Sequence, residues 1–501
     1  MKVTQLIDSL KFKQIYPAIT TDFDVTMLTQ DTREVQPGAM FIAVNGYHID
    51  GHKLAAQAVE KGAIIVVAQE RINVSVPVVY VQNTERAMAI LADVFYQAPS
   101  QSMRMIGVTG TNGKTTVTHL IEQIYRDQNQ ATGLMGTMYR KIKDETLPTN
   151  NTTSDAITTQ RTLAKMHQEN VETVAMEVSS IALDLGRVWG IDFDIAVFTN
   201  LTRDHLDFHK TMANYIHAKS LLFAQLGNKY TASGTTKVAV LNTDDPVGRE
   251  FEQYTAAHVL TYGLNPDAMI RAQNIQICSY GTEFDLAVFG EVTHVTMKLI
   301  GKFNVYNMLA AFAAAYASGL PSNQIIKSLE KVTGVKGRFQ SIPSHTGVRV
   351  IVDYSHTPDS LLNALKTIHS FAKQDVYCVI GCGGDRDHGK RAQMAKIAVE
   401  NSTKPIFTSD NPRTEDPENI LCDMIAGVPE TKVPVYIDRH EAIQQAIQQA
   451  IQDAKPGDVV LIAGKGHEDY QLIGCTKHHF DDSEEAAKDL ALRPVIDQKL
   501  A

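Results

Sequence analysis

Gly107-Val-Thr-Gly-Thr-Asn-Gly-Lys-Thr-Thr116 is the stretch whose reading decides the fold of this chain. The apolar run 103–108 before it predicts a short buried strand, and Val117, Leu120, Ile121 and Ile124 after it recur at the spacing of a helix face. A glycine-rich turn between strand and helix aims backbone N–H groups and the positive end of the helix dipole at one anion. Lys114 then reaches the outer phosphates of a nucleotide, and the hydroxyls at the helix start complete the cradle. A full-length phosphate loop would carry glycine at position 108, where this chain has Val108. The match is therefore the shortened form Gly110-Thr111-Asn112-Gly113-Lys114-Thr115, followed by Thr116.

A chain of 501 residues exceeds one hydrophobic core and predicts three domains. A net charge of −9 argues against general affinity for nucleic acid or acidic membranes, while leaving room for a local cationic pocket. No run approaches the ~18 apolar residues of a membrane span, and residues 1–13 lack the pattern of a signal peptide. The five cysteines are odd in number and contain no CxxC pair, which points to reduced thiols in a cytoplasm and away from a disulfide framework or zinc site.

Three α/β blocks follow. Residues 1–100 hold strand-like runs at 39–44, 63–68 and 76–82 and a helical pattern at 53–61, with 99–102 as a linker. Residues 101–336 form the nucleotide block, a mainly parallel sheet with strands expected at 173–176, 195–200 and 237–242 and an alanine-rich helix over 304–318. Residues 337–501 alternate strands at 348–353, 376–381, 405–408, 433–437 and 458–463 with helices at 359–370, 391–400 and 441–453, a second parallel, Rossmann-like unit. In open parallel sheets ligands sit beyond the carboxyl ends of the strands, so the loops there should converge on the phosphate loop.

Those loops hold the chemistry. Glu177, after a strand, reads either as a Mg²⁺-holding carboxylate or as a surface acid. Asp204, His205, Asp207 and His209 crowd into six residues at no zinc spacing, which suits hard-cation or phosphate chemistry. Lys219, on a helix-like stretch, reads from its position alone as a surface lysine. Asp353 and His356 sit at a strand end and suit ribose and base. Segments 381–391, 410–413 and 464–470 should meet at one edge of the last unit. Arg386, Arg413 and Glu468 there suggest a pocket for a zwitterion, since arginine clamps carboxylate bidentately and glutamate pairs an ammonium. The alternative for Arg413 is a surface pair with Glu415 or Asp416.

At this point the chain resembles the Mur ligases, the ATP-dependent amide ligases of peptidoglycan assembly. The markers are 109–116, Asn151-Thr-Thr153, 176–180, 199–209, Gly301-Lys-Phe-Asn304, Gly337-Arg338, 353–358 and 464–470, spread over nearly the whole chain. The phosphate loop alone also fits folylpolyglutamate synthases, but a full unit before it speaks against them. A non-catalytic nucleotide-binding regulator is the reading from another class, and the retained Lys114, Glu177, His205 and Lys219 speak against that. Asp31-Thr-Arg33, 46–51 and 410–413 narrow the resemblance to the branch that adds the third amino acid.

The resemblance implies a role for each unit and residue. The first unit binds the uridine nucleotide through Thr32, Tyr47, His48 and Ile49. Asn151, Thr152, Thr153, Ser179 and Arg187 hold the rest of UDP-N-acetylmuramoyl-L-alanyl-D-glutamate. Relatives of the diaminopimelate type often carry glutamine where this chain has Leu185. Asn307, Arg338, Asp353 and His356 serve ATP together with the phosphate loop. Thr115, Glu177, His205 and Lys219, the last as a carbamate, hold Mg²⁺, and Lys114, Lys219, Glu177 and His205 form the catalytic set. Arg386, Asp410, Asn411, Pro412, Arg413, Gly464 and Glu468 bind the incoming amino acid. Arg413 favours meso-diaminopimelate over L-lysine, because lysine-type relatives usually have a small or neutral residue there. The implied enzyme is a cytoplasmic monomer that binds no nucleic acid and does not insert into membranes.

Overall fold

Apolar runs of four to six residues that end in glycine, hydroxyl or acidic residues become strands buried on both faces, as parallel sheets require. In the computed structural model, which describes residues 1–46, 49–228, 236–278, 280–452 and 457–492, these strands build three main sheets. The first has five strands in the order Gln14–Tyr16, Val78–Tyr80, Ala63–Ala68, Ala39–Ile42, Met27–Thr29. The helix Thr84–Phe95 packs on it and leads through a 3₁₀ turn, Pro99–Ser102, into the next sheet. The expected linker is thus an ordered turn, with Pro99 and Ser100 buried and Gln101 and Ser102 exposed.

The second sheet is centred on Arg104–Thr109, flanked in parallel by Thr173–Glu177 and Ile195–Phe198. Parallel pairing continues through Thr132–Met135 on one side and through Val238–Asn242 and His258–Gly263 on the other. Ile270–Cys278 adds one more parallel strand, and both edges then turn antiparallel, through Arg140–Ile142 and Glu145–Leu147 on one and Gly281–Val288 and Glu291–Met297 on the other. The helices Lys114–Asp127 and Lys302–Ala317 cover one face; the run of buried alanines Ala310, Ala311, Ala313, Ala314 and Ala315 lets them approach closely. Glu177 closes its strand as a member and does not follow it.

The third sheet runs Gln340–Ile342, Arg349–Asp353, Val459–Ala463, Val376–Ile380, Lys404–Thr408, Val435–Tyr436, parallel after its first strand. Asp353, Gly381, Asp410 and Gly464 all lie at the carboxyl end of this sheet. A separate hairpin, Tyr470–Ile473 with Thr476–His479, stands beside that edge. Arg439, fully buried with Asp482, donates to Ala463 O (2.9 Å) and Ser409 O (3.2 Å), tying two of those strand ends together.

Candidate functional site

The loop 110–113 is shaped by its two glycines and by side-chain hydrogen bonds. Gly110 and Gly113 take φ of +148° and +88°, and a Cβ on either would overlap Thr199 or Asn307. Asn112 N donates to Asn200 Oδ1 (2.9 Å), Thr199 Oγ1 donates to Asn112 O (2.6 Å), and Thr111 Oγ1 shares a hydrogen bond with Tyr215 (3.0 Å). Lys114 heads the helix Lys114–Asp127 and donates to Gly110 O and Thr111 O, both at 2.9 Å. Burial lowers its pKa, against the pull of Glu177 and Asp204. Thr116 is buried on the first turn.

Glu177 is buried and accepts three hydrogen bonds. Its Oε2 accepts from Thr115 Oγ1 and Thr137 Oγ1 (both 3.0 Å), and its Oε1 accepts from Thr137 N (2.9 Å). The surface-acid reading of Glu177 therefore falls. Thr115 Oγ1 also accepts from Arg338 (2.9 Å), whose guanidinium lies over Tyr354 at 4.4 Å and whose buried Nε has no partner. An orphaned guanidinium nitrogen in this position fits an anion not present in the chain itself. The hydroxyl and carboxylate oxygens of Thr115 and Glu177 are the donor type Mg²⁺ takes, with His205 on the same cavity wall. A tighter trio, Asp50, His52 and Glu70, lies in the first unit. There Asp50 and the N–H of Gln69 already occupy both ring nitrogens of His52.

Lys219 corrects its surface reading. It is 1% exposed on the helix Met212–Ala224, donates to Gly110 O at 2.8 Å and lies 4.7 Å from the centre of the Tyr215 ring. Lys114 and Lys219 thus share one carbonyl. Burial, and then the charge of Lys114, hold the Lys219 ammonium well below the usual lysine range. His205 sits at φ +54° with Nε2 3.4 Å from Asp204 Oδ2, and burial lowers its pKa as well.

Two cavities meet here. One, about 800 Å³, is lined by the phosphate loop, Glu177, His205, Asn307, Arg338, Asp353 and His356. Asp353 uses one oxygen to accept from Phe339 N (2.6 Å), beside the neighbouring strand, and the other to accept from Ser355 Oγ in its own turn. Asn112 Nδ2 reaches across to Asp359 Oδ2 (3.2 Å), so the second and third sheets close around this space. The other cavity, about 1400 Å³, shares His205 and His356 and extends past Asn151 and Thr152 to Arg386, Asp410, Asn411, Arg413, Gly464 and Glu468. His356 and His467 flank Tyr354, their ring centres 4.6 and 4.9 Å away, and burial depresses the two imidazoles to about 4 and about 3.

At the far end of that cavity, Asn411 Nδ2 donates to Glu468 Oε2 (2.7 Å), and Lys465 Nζ reaches both residues. Burial, then the nearby Asp410 carboxylate, raise the pKa of Glu468. Gly464 is at φ +114°, where a Cβ would press on Asp410. Pro412 is buried behind the loop, and Arg386 donates to Asp385 O (3.1 Å) at the rim. The surface-pair alternative for Arg413 does not hold. Glu415 is taken by Arg391 (2.9 Å), Asp416 caps the helix Pro417–Ala426, and Arg413 donates to Gly384 O (2.6 Å). Among the described residues Arg413 enters no ion pair.

The remaining expected contacts divide. Thr153 Oγ1 donates to Glu177 O (2.8 Å) and accepts from Ser179 N (3.0 Å), while Arg187 donates to Thr153 O (3.0 Å). Asn151–Thr153, Ser179 and Arg187 thus form one ledge beside Glu177; Leu185 merely caps the helix Ser180–Asp184. Thr32 and Ile49 lie in the first unit and line neither cavity. Tyr47 and His48 lie outside the described residues. Thr137 and Lys465 were missed as contributors. Lys465 stands inside the segment 464–470, whereas Thr137 has no local signal and is found only through its contact with Glu177.

Comparison with known proteins follows the same plan. Residues 108–315 match the Mur ligase middle domain, 337–466 the Mur ligase glutamate ligase domain, and 24–96 the Mur ligase family catalytic domain. A UDP-N-acetylmuramoyl-L-alanyl-D-glutamate--2,6-diaminopimelate ligase of Lactiplantibacillus plantarum is 80% identical over 497 residues, 99% of this chain and 100% of its own. A ligase of the same name from Listeria monocytogenes is 50% identical, over 100% of this chain and 99% of its own. A solved structure bearing that name superposes with a TM-score of 0.69 at 33% identity, covering 98% of this chain and 99% of its own. The MurF ligase of Thermotoga maritima in complex with ADP, 16% identical, shares the fold with a TM-score of 0.62 over 94% of this chain and 99% of its own. No helix among the described residues is long and apolar enough to cross a membrane.

Proposed function

The chain belongs to the Mur ligase family and is an ATP-dependent ligase of peptidoglycan precursors, and we propose that it joins meso-2,6-diaminopimelate to UDP-N-acetylmuramoyl-L-alanyl-D-glutamate in the cytoplasm. The labour divides among residues 1–100 for the uridine nucleotide, 101–336 for ATP and activation, and 337–501 for the amino acid. The observation that carries the choice of amino acid is Arg413, a guanidinium in the cavity without a carboxylate partner among the described residues, beside Asn411 and Glu468. Diaminopimelate differs from lysine by one distal carboxylate, and burying that group without a cation costs several kcal/mol.

The D-glutamyl γ-carboxylate attacks the γ-phosphate of ATP, giving an acyl phosphate and ADP. The amine then attacks the activated carbonyl and phosphate leaves. Lys114 and Arg338 take the phosphate charge, and the N–H groups around Gly113 orient the phosphates. Thr115, Glu177, His205 and a carbamylated Lys219 would hold Mg²⁺, which supplies positive charge to the transferring phosphoryl group. Lys219 suits that modification because a depressed pKa leaves more of it as the neutral amine that captures CO₂. The carbamate also replaces one of two crowded cations with an anion. The Asn112–Asp359 and Thr115–Arg338 contacts draw the second and third units together, which keeps water from the acyl phosphate.

The deciding experiment is ligation with the purified dipeptide nucleotide and a panel of amino acids, read by mass and by kcat/KM. Diaminopimelate should exceed lysine by about 100-fold, the scale of a lost charge-assisted pair. Efficient lysine incorporation would overturn the assignment.

A further inference from the structure

The hairpin Tyr470–Ile473/Thr476–His479 lies outside the three main sheets, yet its first strand grips the 410–413 loop along its length. Gln471 Nε2 donates to Asp410 O (2.8 Å), and Leu472 N donates to Asn411 Oδ1 (2.8 Å). Arg413 N donates to Leu472 O (2.9 Å), and Gly474 N donates to Arg413 O (2.6 Å). Both main-chain groups of Arg413 are therefore held by the hairpin. This matters because Arg413 adopts φ +54°, a left-handed conformation that a side-chain-bearing residue keeps only when its surroundings impose it.

The same contacts orient Asn411. Its Oδ1 accepts from Leu472 N and from Lys465 (3.0 Å), which leaves Nδ2 to face Glu468. The hairpin thus fixes the main chain from which the guanidinium extends to Gly384 O, and its first strand sets which way the neighbouring amide is turned. We propose that this hairpin is the positioning element for amino-acid selection, holding Arg413 and Asn411 in the arrangement that distinguishes a substrate with a distal carboxylate from one without. The proposal rests on the diaminopimelate reading above. It adds that the discrimination made by Arg413 and Asn411 depends on residues 471–474, which do not line the cavity.

Gln471→Glu keeps the shape of the side chain but removes the donor to Asp410 O. Leu472→Pro removes the N–H to Asn411 on a strand where that group is not part of the hairpin's own ladder. For each variant of the full-length enzyme, kcat/KM is measured for meso-diaminopimelate and for lysine, with KM for ATP and for the dipeptide nucleotide and the thermal midpoint alongside. We expect the diaminopimelate-to-lysine ratio to fall about tenfold through KM for diaminopimelate, with the other two KM values within twofold of the unmodified enzyme. A ratio unchanged in both variants, or one that falls only as all three KM values rise together, overturns the proposal. If the unmodified enzyme already prefers lysine, the diaminopimelate reading fails first and this proposal falls with it. An unmoved ratio in an enzyme that does prefer diaminopimelate sinks the hairpin role alone.

Discussion

Replacing Lys219 separates a carbamate from a merely buried cation. Its amine is 1% exposed and 2.8 Å from Gly110 O, a carbonyl that Lys114 also reaches at 2.9 Å. If Lys219 only supplied that hydrogen bond, Lys219→Arg would keep both a donor and a positive charge, and activity would survive. Arginine does not form the carbamate, so under the proposed mechanism Lys219→Arg and Lys219→Ala should lose kcat alike. Removing one preorganised charged group from a phosphoryl-transfer site costs on the order of 10²–10³ in kcat. Lys219→Glu should not rescue, because its carboxylate ends about three bonds short of where a lysine carbamate would place its own. The structural cost is read separately: Gly110 O keeps Lys114 as a donor, so the loop should persist and the thermal midpoint should move by a few degrees. The assay pairs phosphate release in CO₂-depleted and bicarbonate-replete buffer with ¹³C NMR of enzyme equilibrated with labelled bicarbonate. The unmodified enzyme should show a carbamate resonance and regain activity with bicarbonate; the variants should show neither. Lys219→Arg within threefold of full activity, or an unmodified enzyme with no carbamate signal, would refute the reasoning.

Lys114→Ala should lower activity by orders of magnitude while the thermal midpoint stays within a few degrees, because a cation at a helix N-terminus meets an unfavourable dipole and is kept there for an anion; a large drop in midpoint with activity retained would count against this. Arg413→Ala should shrink the diaminopimelate-to-lysine ratio mainly through KM for diaminopimelate, measured by ligation of each amino acid. Asp482→Asn should be strongly destabilising, by about 3–5 kcal/mol in denaturant unfolding, because it strands the fully buried Arg439; a change under 1 kcal/mol would show the pair to be dispensable. His356 and His467 titrate near 4 and 3 in the fold but near 6.5 when unfolded. Between those values the unfolded chain binds the extra protons, so stability should fall as pH drops from about 6.5 toward 4, and a His356→Asn, His467→Asn variant should lose part of that slope.

The glycine-rich loop was legible because its parts are local. Strand, glycine turn, Lys114 and helix follow one another without a break from Arg104 to Asp127, and the backbone conformation demanded at Gly110 and Gly113 allows few alternatives. Most core strands were legible for the same reason: burial on both faces writes a continuous apolar run, as in Ala63–Ala68. Gly281–Val288 and Glu291–Met297 escaped because one face meets water, and the latter buries only two of its seven residues, Val295 and Met297. The chemical segments of the last unit were also visible as motifs at strand ends, so sequence determined which residue types were available. Tertiary structure decided what each would do. Lys219 turns from a surface lysine into a buried amine only because Gly110 lies against it, and Glu177 acquires its clamp from Thr137, forty residues away. Arg413 is left free of Glu415 because Arg391 has taken that carboxylate, and its main chain is held by a hairpin distant in sequence. Burial and partner choice depend on which distant surfaces meet, and local pattern carries no record of that meeting.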